Sequence, residues 1–385
     1  MLKIKPLTLS QVDLFLDFNR KAYPHRKNIK EHFNWWFMDN PLLKDKDTLS
    51  VYLCVDDTER IIGQALFNLS KFYFQGETKQ VYFGSDYYVL PENRGMAGIL
   101  LSMKVLKKEL PFIGIGPTNA MGNMLLSSGL TSLGSTRTFV WFRNPLVLLT
   151  LAKNVLFHGR KGVSISSLDN TDDNSNNTNN PNTQNNQNNL NNTDHPTNKN
   201  NLLDNANHQL PEQLFSNEIV FNLVSNLNDF VDYSWDNIIG FSRDSDFLKW
   251  RFFNDYRKYF CYASTTNSMA DKKMIYFVIR IGTWNGMKLL FLVDYKLPPG
   301  SIFEWKAILK LTKKIAKLNK CDAVVTVCSH HFFEKEVKKN FFIKMGKENL
   351  VITNLSLGLS DEIIKKRESI YATMADSDQE FSFWW

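Results

Sequence analysis

Apolar positions along this chain follow two periods. Short aromatic and β-branched runs at residues 2–4, 51–55, 61–69, 81–90, 112–116 and 136–142 read as strands. Between them, apolar residues recur at helical spacing over 9–22, 29–38, 97–109 and 119–128. The two periods return after residue 215, with strands at 259–263, 274–281, 289–295, 323–328 and 350–353, and helices over 303–318 and 332–339. Strands interleaved with helices predict an α+β (mixed α/β) class, built from mixed, mostly antiparallel sheets flanked by helices. The order of elements also repeats. Phe33, Trp35, Phe37 and Asn40 close one helix-like stretch; Phe247, Trp250, Phe252 and Asn254 close another. Each is followed by a strand, a polar turn and a second strand, which predicts an internal repeat.

The repeat divides the chain into a first unit over residues 1–145 and a second over 215–385. Residues 146–214 between them hold a connector and a tract, about 169–208, in which nearly half the residues are Asn. That tract has too little apolar surface to offset chain entropy and is expected to be disordered. The apolar run 139–157 is broken by Arg143, Asn144, Pro145 and Lys153, which predicts a packed connector helix, with interfacial membrane contact as the lesser alternative, rather than a membrane span. With 43% hydrophobic residues, a chain of 385 can fill two cores. Cys54, Cys261, Cys321 and Cys328 show no metal-type spacing and sit in apolar runs, so buried free thiols are expected and no metal. His330-His331 has no matched carboxylate spacing and reads as a loop or helix cap. The N-terminal residues lack the apolar core of a signal peptide, which makes a cytoplasmic location the expectation.

The net charge of +7 is concentrated late in the chain. Lys306, Lys310, Lys313, Lys314, Lys317 and Lys320 alternate with Ile308, Leu311, Ile315 and Leu318, as on an amphipathic helix with a basic outer face. Such a face is either simply solvated or attracts an acidic substrate. No nucleic-acid module accompanies it, so no nucleic-acid partner is expected. The aromatic terminus, Tyr371 onward and residues 381–385, is expected to dock on the body.

Residues 81–103 carry the candidate chemistry. An aromatic strand leads through Pro91 into a turn, Arg94-Gly95-Met96-Ala97-Gly98, and then an apolar helix. Backbone N–H groups and the dipole at a helix N-terminus favour an anion such as a phosphate. This segment resembles motif A of the GNAT acyltransferases, whose signature is Q/R-x-x-G-x-G/A after a strand ending in Val and Pro. Val89, Pro91 and Arg94 match; Ala97 stands at the first glycine and Ile99 at the second small position. The element order is similar to two GNAT-like domains in tandem.

The resemblance implies that acetyl-CoA or another acyl-CoA binds the first unit. Backbone groups of Tyr88, Val89 and Leu90 would hold the pantetheine arm. Arg94, Gly95, Met96, Ala97, Gly98 and Ile99 would hold the pyrophosphate, and Asn119 would lie beside the pantetheine. Gly129-Leu130 matches the family's Gly-Phe pair, while Leu125 stands where many members carry a tyrosine acid. Asp86, Tyr87 and Tyr88 are then the candidates for proton transfer, with Asp86 placed among aromatics where burial would raise its pKa toward that of a base. In the second unit Pro298 and Pro299 remove two N–H donors from the matching turn, so no CoA site is expected there. That unit would shape an acceptor cleft, with Trp250, Arg251, Asp376 and Asp378 as candidate lining. The implied activity is N-acyltransfer of an acetyl or short acyl group to a primary amine of a small metabolite or amino sugar. Two alternatives stay open: a FemAB-like aminoacyl transferase using aminoacyl-tRNA, and a binding protein that keeps the fold without catalysis.

Overall fold

The strands of both repeats join one twisted sheet. The structure, a computed structural model, describes residues 2–24, 26, 28–44, 48–74, 76–106, 111–144, 146, 208–216, 219–233, 238–254, 258–265, 273–284, 286–298, 300–354 and 370–376. Almost all of the Asn-rich tract, the connector beyond residue 146, Pro299, Asp378 and residues 381–385 lie outside the described residues.

The first repeat contributes β1 (Lys3–Thr8), α1 (Val12–Ala22), α2 (Ile29–Phe33) running on as a π-helical turn (Asn34–Met38), β2 (Thr48–Val55), β3 (Ile61–Phe74), β4 (Glu77–Val89), α3 (Arg94–Leu106), β5 (Phe112–Ile115), α4 (Asn119–Ser127) and β6 (Thr131–Phe142). The second contributes β7 (Gln213–Ser216), β8 (Ile219–Val224), β9 (Ile239–Phe241), α5 (Ser245–Phe252), β10 (Phe260–Thr265), β11 (Met274–Trp284), β12 (Met287–Lys296), α6 (Ile302–Leu318), β13 (Ala323–Cys328), α7 (His331–Lys339), β14 (Ile343–Thr353) and β15 (Ile370–Tyr371).

Strands run β1-β2-β3-β4-β5-β14-β6-β13-β12-β11-β10-β8-β7 across the sheet, with β9 against β3 and β15 against β9. Along that path β4–β5 and β12–β13 are parallel and the other pairs antiparallel. The order of the central strands shows an exchange. β14, the late strand of the second repeat, lies between β5 and β6 of the first, and β6 lies between β14 and β13. Each parallel pair is therefore continued by a strand from the other repeat.

The two aromatic helix ends meet at the centre. Trp35 Nε1–H donates to the Trp250 carbonyl at 3.0 Å, and Trp250 Nε1–H donates to the Trp35 carbonyl at 2.7 Å. Their rings stack at 5.7 Å. This reciprocal exchange is what two copies of one element make across a local two-fold relation, and each bond contributes roughly 1 kcal/mol. The surrounding core draws on both repeats, with Leu7, Phe15 and Trp35 packed with Ile239, Trp250, Val351 and Ile370.

Helix faces follow the periodicity. On α3, Ala97 and Leu101, one turn apart, bury against Cys54, Ile62, Ala65 and Val89. On α6, Ile308, Leu311 and Ile315 face the sheet while the lysines face outward. His330 caps α7, its Nδ1 accepting from the Phe332 N–H at 3.2 Å. All four cysteines are buried thiols. Residues 370–376 dock on the body as part of the sheet and a buried turn.

Candidate functional site

The site begins with a register shift. Gln64 pairs with Tyr88 and Leu66 with Ser85, so β4 takes three steps while β3 takes two. The extra residue forms a bulge at Asp86, whose φ of +42° is left-handed. On its other side β4 runs parallel to β5 through Tyr82–Phe112, Phe83–Ile113 and Gly84–Gly114, where the pairing ends. Past Gly84 the β5-facing edge of β4 has no strand partner among the described residues, so its backbone polar groups are open to a ligand. The Phe112 ring lies across the last pair. A Cβ at Gly84 would overlap Phe112 Cε2, and one at Gly114 would come within 3.0 Å of Cζ.

The opening between the strands is a cavity of about 210 Å³. Tyr87 and Ser102 line one side, Thr118, Met121 and Leu125 another, and Ile352 of β14 supplies part of the wall. Through the strand exchange, the second repeat thus helps build a site in the first.

Asp86 is held by Arg26. The guanidinium forks onto both carboxylate oxygens at 2.5 Å, and both side chains are only 11% exposed. Burial alone would push the carboxyl up. The Arg26 charge and its hydrogen bonds outweigh burial, with His32 adding to the pull, and the carboxyl lies below the usual range. The raised pKa expected of Asp86 is therefore overturned: the aromatic setting implied burial, but not the cation buried with it. Arg26 in turn lies 3.5 Å over the Tyr23 ring.

Tyr88 packs on Tyr23 and Phe18, at ring separations of 5.1 and 6.1 Å. Tyr87 instead points to α3, its hydroxyl donating to the Gly98 carbonyl at 2.5 Å and lying 3.0 Å from Ser102 Oγ. Ser102 also donates to that carbonyl, at 2.9 Å. Burial pushes the Tyr87 phenol above its ordinary value, against a smaller downward pull from Ser102, so it stays protonated at neutral pH.

The turn expected at Arg94 to Ile99 is already helix. A 3-10 turn over Pro91–Asn93 feeds straight into α3 at Arg94. Proline suits a helix start, because its φ is preset and its missing N–H is one that would lack an intrahelical partner anyway. Arg94, Gly95 and Met96 are exposed in the first turn, where helical N–H groups lack intrahelical acceptors. Ala97 is fully buried against the sheet, and Ile99 faces solvent rather than the core. Val89 packs under α3. Leu90 has its N–H committed to the Ile62 carbonyl, and its own carbonyl accepts from Asn93, each at 2.9 Å.

Asn119 is exposed at the start of α4, which Thr118 caps by accepting from the Met121 N–H. Leu125 is a core residue lining the cavity. Gly129, at φ +94°, ends α4, and the Leu130 N–H returns to the Leu125 carbonyl at 3.2 Å. Arg26, Ser102 and Thr118 escaped sequence reasoning, since nothing local marks a partner brought from another element.

The second repeat rebuilds the frame and fills the opening. Phe291, Asp294 and Tyr295 recur at the spacing of Phe83, Asp86 and Tyr87. A register shift falls between the Val278–Asp294 and Ile279–Leu292 pairs, and Arg243 forks onto Asp294 at 2.9 and 3.0 Å. Tyr295, however, reaches across to the Val327 carbonyl at 3.2 Å. Residues 370–376 occupy the remaining space. The Tyr371 hydroxyl donates to the Tyr295 carbonyl, and Ser329 Oγ donates to the Ile370 and Ala372 carbonyls at 2.9 and 3.1 Å. Asp376 closes on Arg243 at 2.7 Å, and with Trp250 and Arg251 it lines only a small cavity of about 10 Å³ rather than an open cleft. Trp250 and Arg251 are likewise buried, Arg251 bonding Tyr259 Oη at 2.8 Å.

No family profile and no curated protein matches the chain. Among solved structures it is similar to a GCN5-related N-acetyltransferase from Anabaena variabilis, with a TM-score of 0.51 and 10% identity over 92% of this chain and 72% of that one. It is also similar to a GCN5-related N-acetyltransferase from Kribbella flavida (TM-score 0.48, 12% identity, 92% and 70% covered). A further similarity is to Saccharomyces cerevisiae N-myristoyltransferase with bound myristoyl-CoA (TM-score 0.48, 10% identity, 96% and 89% covered). With its parallel β4–β5 pair opening just ahead of a bulge in β4, and α3 starting at the end of β4, the chain has the fold of the GCN5-related N-acetyltransferases.

Proposed function

We propose that the chain binds an acyl-CoA between β4 and β5 and transfers its acyl group to a primary amine. The observation that carries this reading is the opening past Gly84–Gly114, where a free strand edge meets a cavity that Ser102 of α3 helps to line. In this reading the free edge of β4 holds the pantetheine arm, and the α3 N-terminus with Arg94 holds the pyrophosphate. The cavity, about 210 Å³, is smaller than the roughly 300–1,000 Å³ of drug-sized pockets. That favours an acetyl or short acyl group. The acceptor class proposed is a small metabolite or amino sugar.

The neutral amine attacks the thioester carbon, the carbon–sulfur bond breaks, the departing thiolate takes a proton, and the nitrogen gives one up to leave the neutral amide. Asp86, kept ionised by Arg26, is a weak base here, and its role is to hold the bulge. Tyr87 presents a protonated phenol in the cavity wall, more acidic than the Ser102 and Thr118 hydroxyls of the same cavity, and we assign it to the leaving thiolate. Alignment of amine and thioester supplies the rest of the rate. A second reading, binding without turnover, is favoured by Leu125, which puts a core methyl group where an acid would serve.

Thermal denaturation with acetyl-CoA and longer acyl-CoAs tests binding; no stabilisation well above micromolar concentration would sink the acyl-CoA reading. Release of free thiol with an amine panel separates turnover from binding alone.

A further inference from the structure

The outer side of α6 has no role in the site described above, and its charge is unbalanced. Lys306, Lys310, Lys313, Lys314 and Lys317 share the helix with a single acid, Glu304. The neighbouring acids of α7 are already engaged. Glu334 pairs with Arg137 and Lys338, and Glu336 with Lys306 and Lys339. None of Lys310, Lys313, Lys314 and Lys317 pairs with a carboxylate of a described residue. Lys313 and Lys317 both stand 5.9 Å from the Trp141 ring. Burial, and then the Lys317 charge, hold Lys313 below the usual lysine range.

An apolar tip projects beside these lysines. Phe341 is 81% exposed, and Ile343, two residues on, is 46% exposed. Lys313 Nζ donates to the Asn340 carbonyl at 3.3 Å, which places the tip against the lysine row, and Lys338 and Lys344 flank it. Phe341 also holds a left-handed backbone, φ +63°, just past the end of α7. The Phe342 N–H returns to the Val337 carbonyl at 3.2 Å, the helix end at which glycine is the favoured residue. A phenylalanine there is strained, and its ring gains no burial in return. Outliers of this kind cluster where a segment has work to do.

We propose that this corner of the second repeat docks on an anionic lipid bilayer, with Phe341 and Ile343 entering the headgroup region and the α6 lysines facing lipid phosphates. Lysines near an anionic membrane each add attraction, and an aromatic tip adds area that leaves water. A nucleic-acid backbone would use the same cations but leaves a protruding Phe and Ile without a purpose.

The test is co-sedimentation of the full chain with phosphatidylcholine vesicles, with and without phosphatidylserine. Binding is expected only with phosphatidylserine, and it should weaken as salt rises. Lys310→Glu with Lys314→Glu should reduce it by about tenfold or more. The decisive variant is Phe341→Gly. It removes strain and so should melt no lower than the parent chain, yet it should bind these vesicles about tenfold more weakly. Absence of phosphatidylserine-dependent binding would overturn the proposal. So would an unweakened Phe341→Gly variant, or tighter binding to duplex DNA than to the vesicles.

Discussion

Replacing Arg26 with Met tests the frame of the site. The substitution keeps an apolar stem over Tyr23 and removes the charge that forks onto Asp86, where both partners are 11% exposed. Breaking such a pair from one side costs about 3–5 kcal/mol, because the remaining charge keeps its desolvation cost. The pH dependence should change sign. In the parent chain the Asp86 pKa is lowered, so its contribution is present above the unfolded value, about 3.9, and is lost as pH falls through the folded one. Without Arg26, burial raises the carboxyl. The contribution is then fully present below the unfolded value and lost as pH rises through the folded one. Urea unfolding at pH 7 and pH 4 should therefore show a large deficit that shrinks in acid. Adding Asp86→Asn should restore most of the loss at pH 7, since Asn tolerates the left-handed backbone. A deficit below about 1 kcal/mol at pH 7 would mean the pair behaves as a solvated surface bridge, and the reasoning would fail.

Gly84→Ala places a Cβ into the Phe112 ring and should cost about 1–3 kcal/mol while weakening acyl-CoA stabilisation; adding Phe112→Leu should recover part of both in melting experiments. Tyr87→Phe should lower thiol release by about 10²-fold or more with acyl-CoA stabilisation retained, and equal rates would remove Tyr87 from proton transfer. Arg94→Glu, at the exposed start of α3, should abolish acyl-CoA stabilisation without lowering the melting temperature of the free chain. Burial raises the Asp376 pKa against the opposing pull of Arg243, so its contribution is full below about pH 4 and is lost as pH rises through the folded value. Asp376→Asn should flatten that part of the stability profile in urea titrations from pH 4 to 7.

Much of the frame was legible because it is local. Residues 323–328 read as a strand by composition, and α6 declared itself through lysines alternating with Ile and Leu; the structure places them at Ala323–Cys328 and Ile302–Leu318. The aromatic repeat was visible too, and Trp35 and Trp250 prove to face each other. What was not legible depends on distance along the chain. Arg26 meets Asp86 from 60 residues away, and no pattern near either residue announces it. The start of α3 was misplaced because the glycines suggested a turn, whereas Pro91 and the buried Ala97 fit a helix. The filling of the second opening by residues 370–376 depends on Ser329, Tyr295 and Arg243 acting together, and a one-dimensional reading cannot bring them together.

The exchange of β6 and β14 bears on how the protein is made. The wall of the first-repeat cavity includes Ile352, so a ribosome must release residues up to Ile352 before that site can close. Until then β5 and β6 lack the strand that lies between them, and a nascent first repeat presents open sheet edges of the kind that invite wrong partners. The tract between the repeats lies within the loop that must close. Each doubling of that loop adds only about 0.6 kcal/mol to the closure entropy. Its length is therefore nearly free to drift, while β6 and β14 must be inherited together.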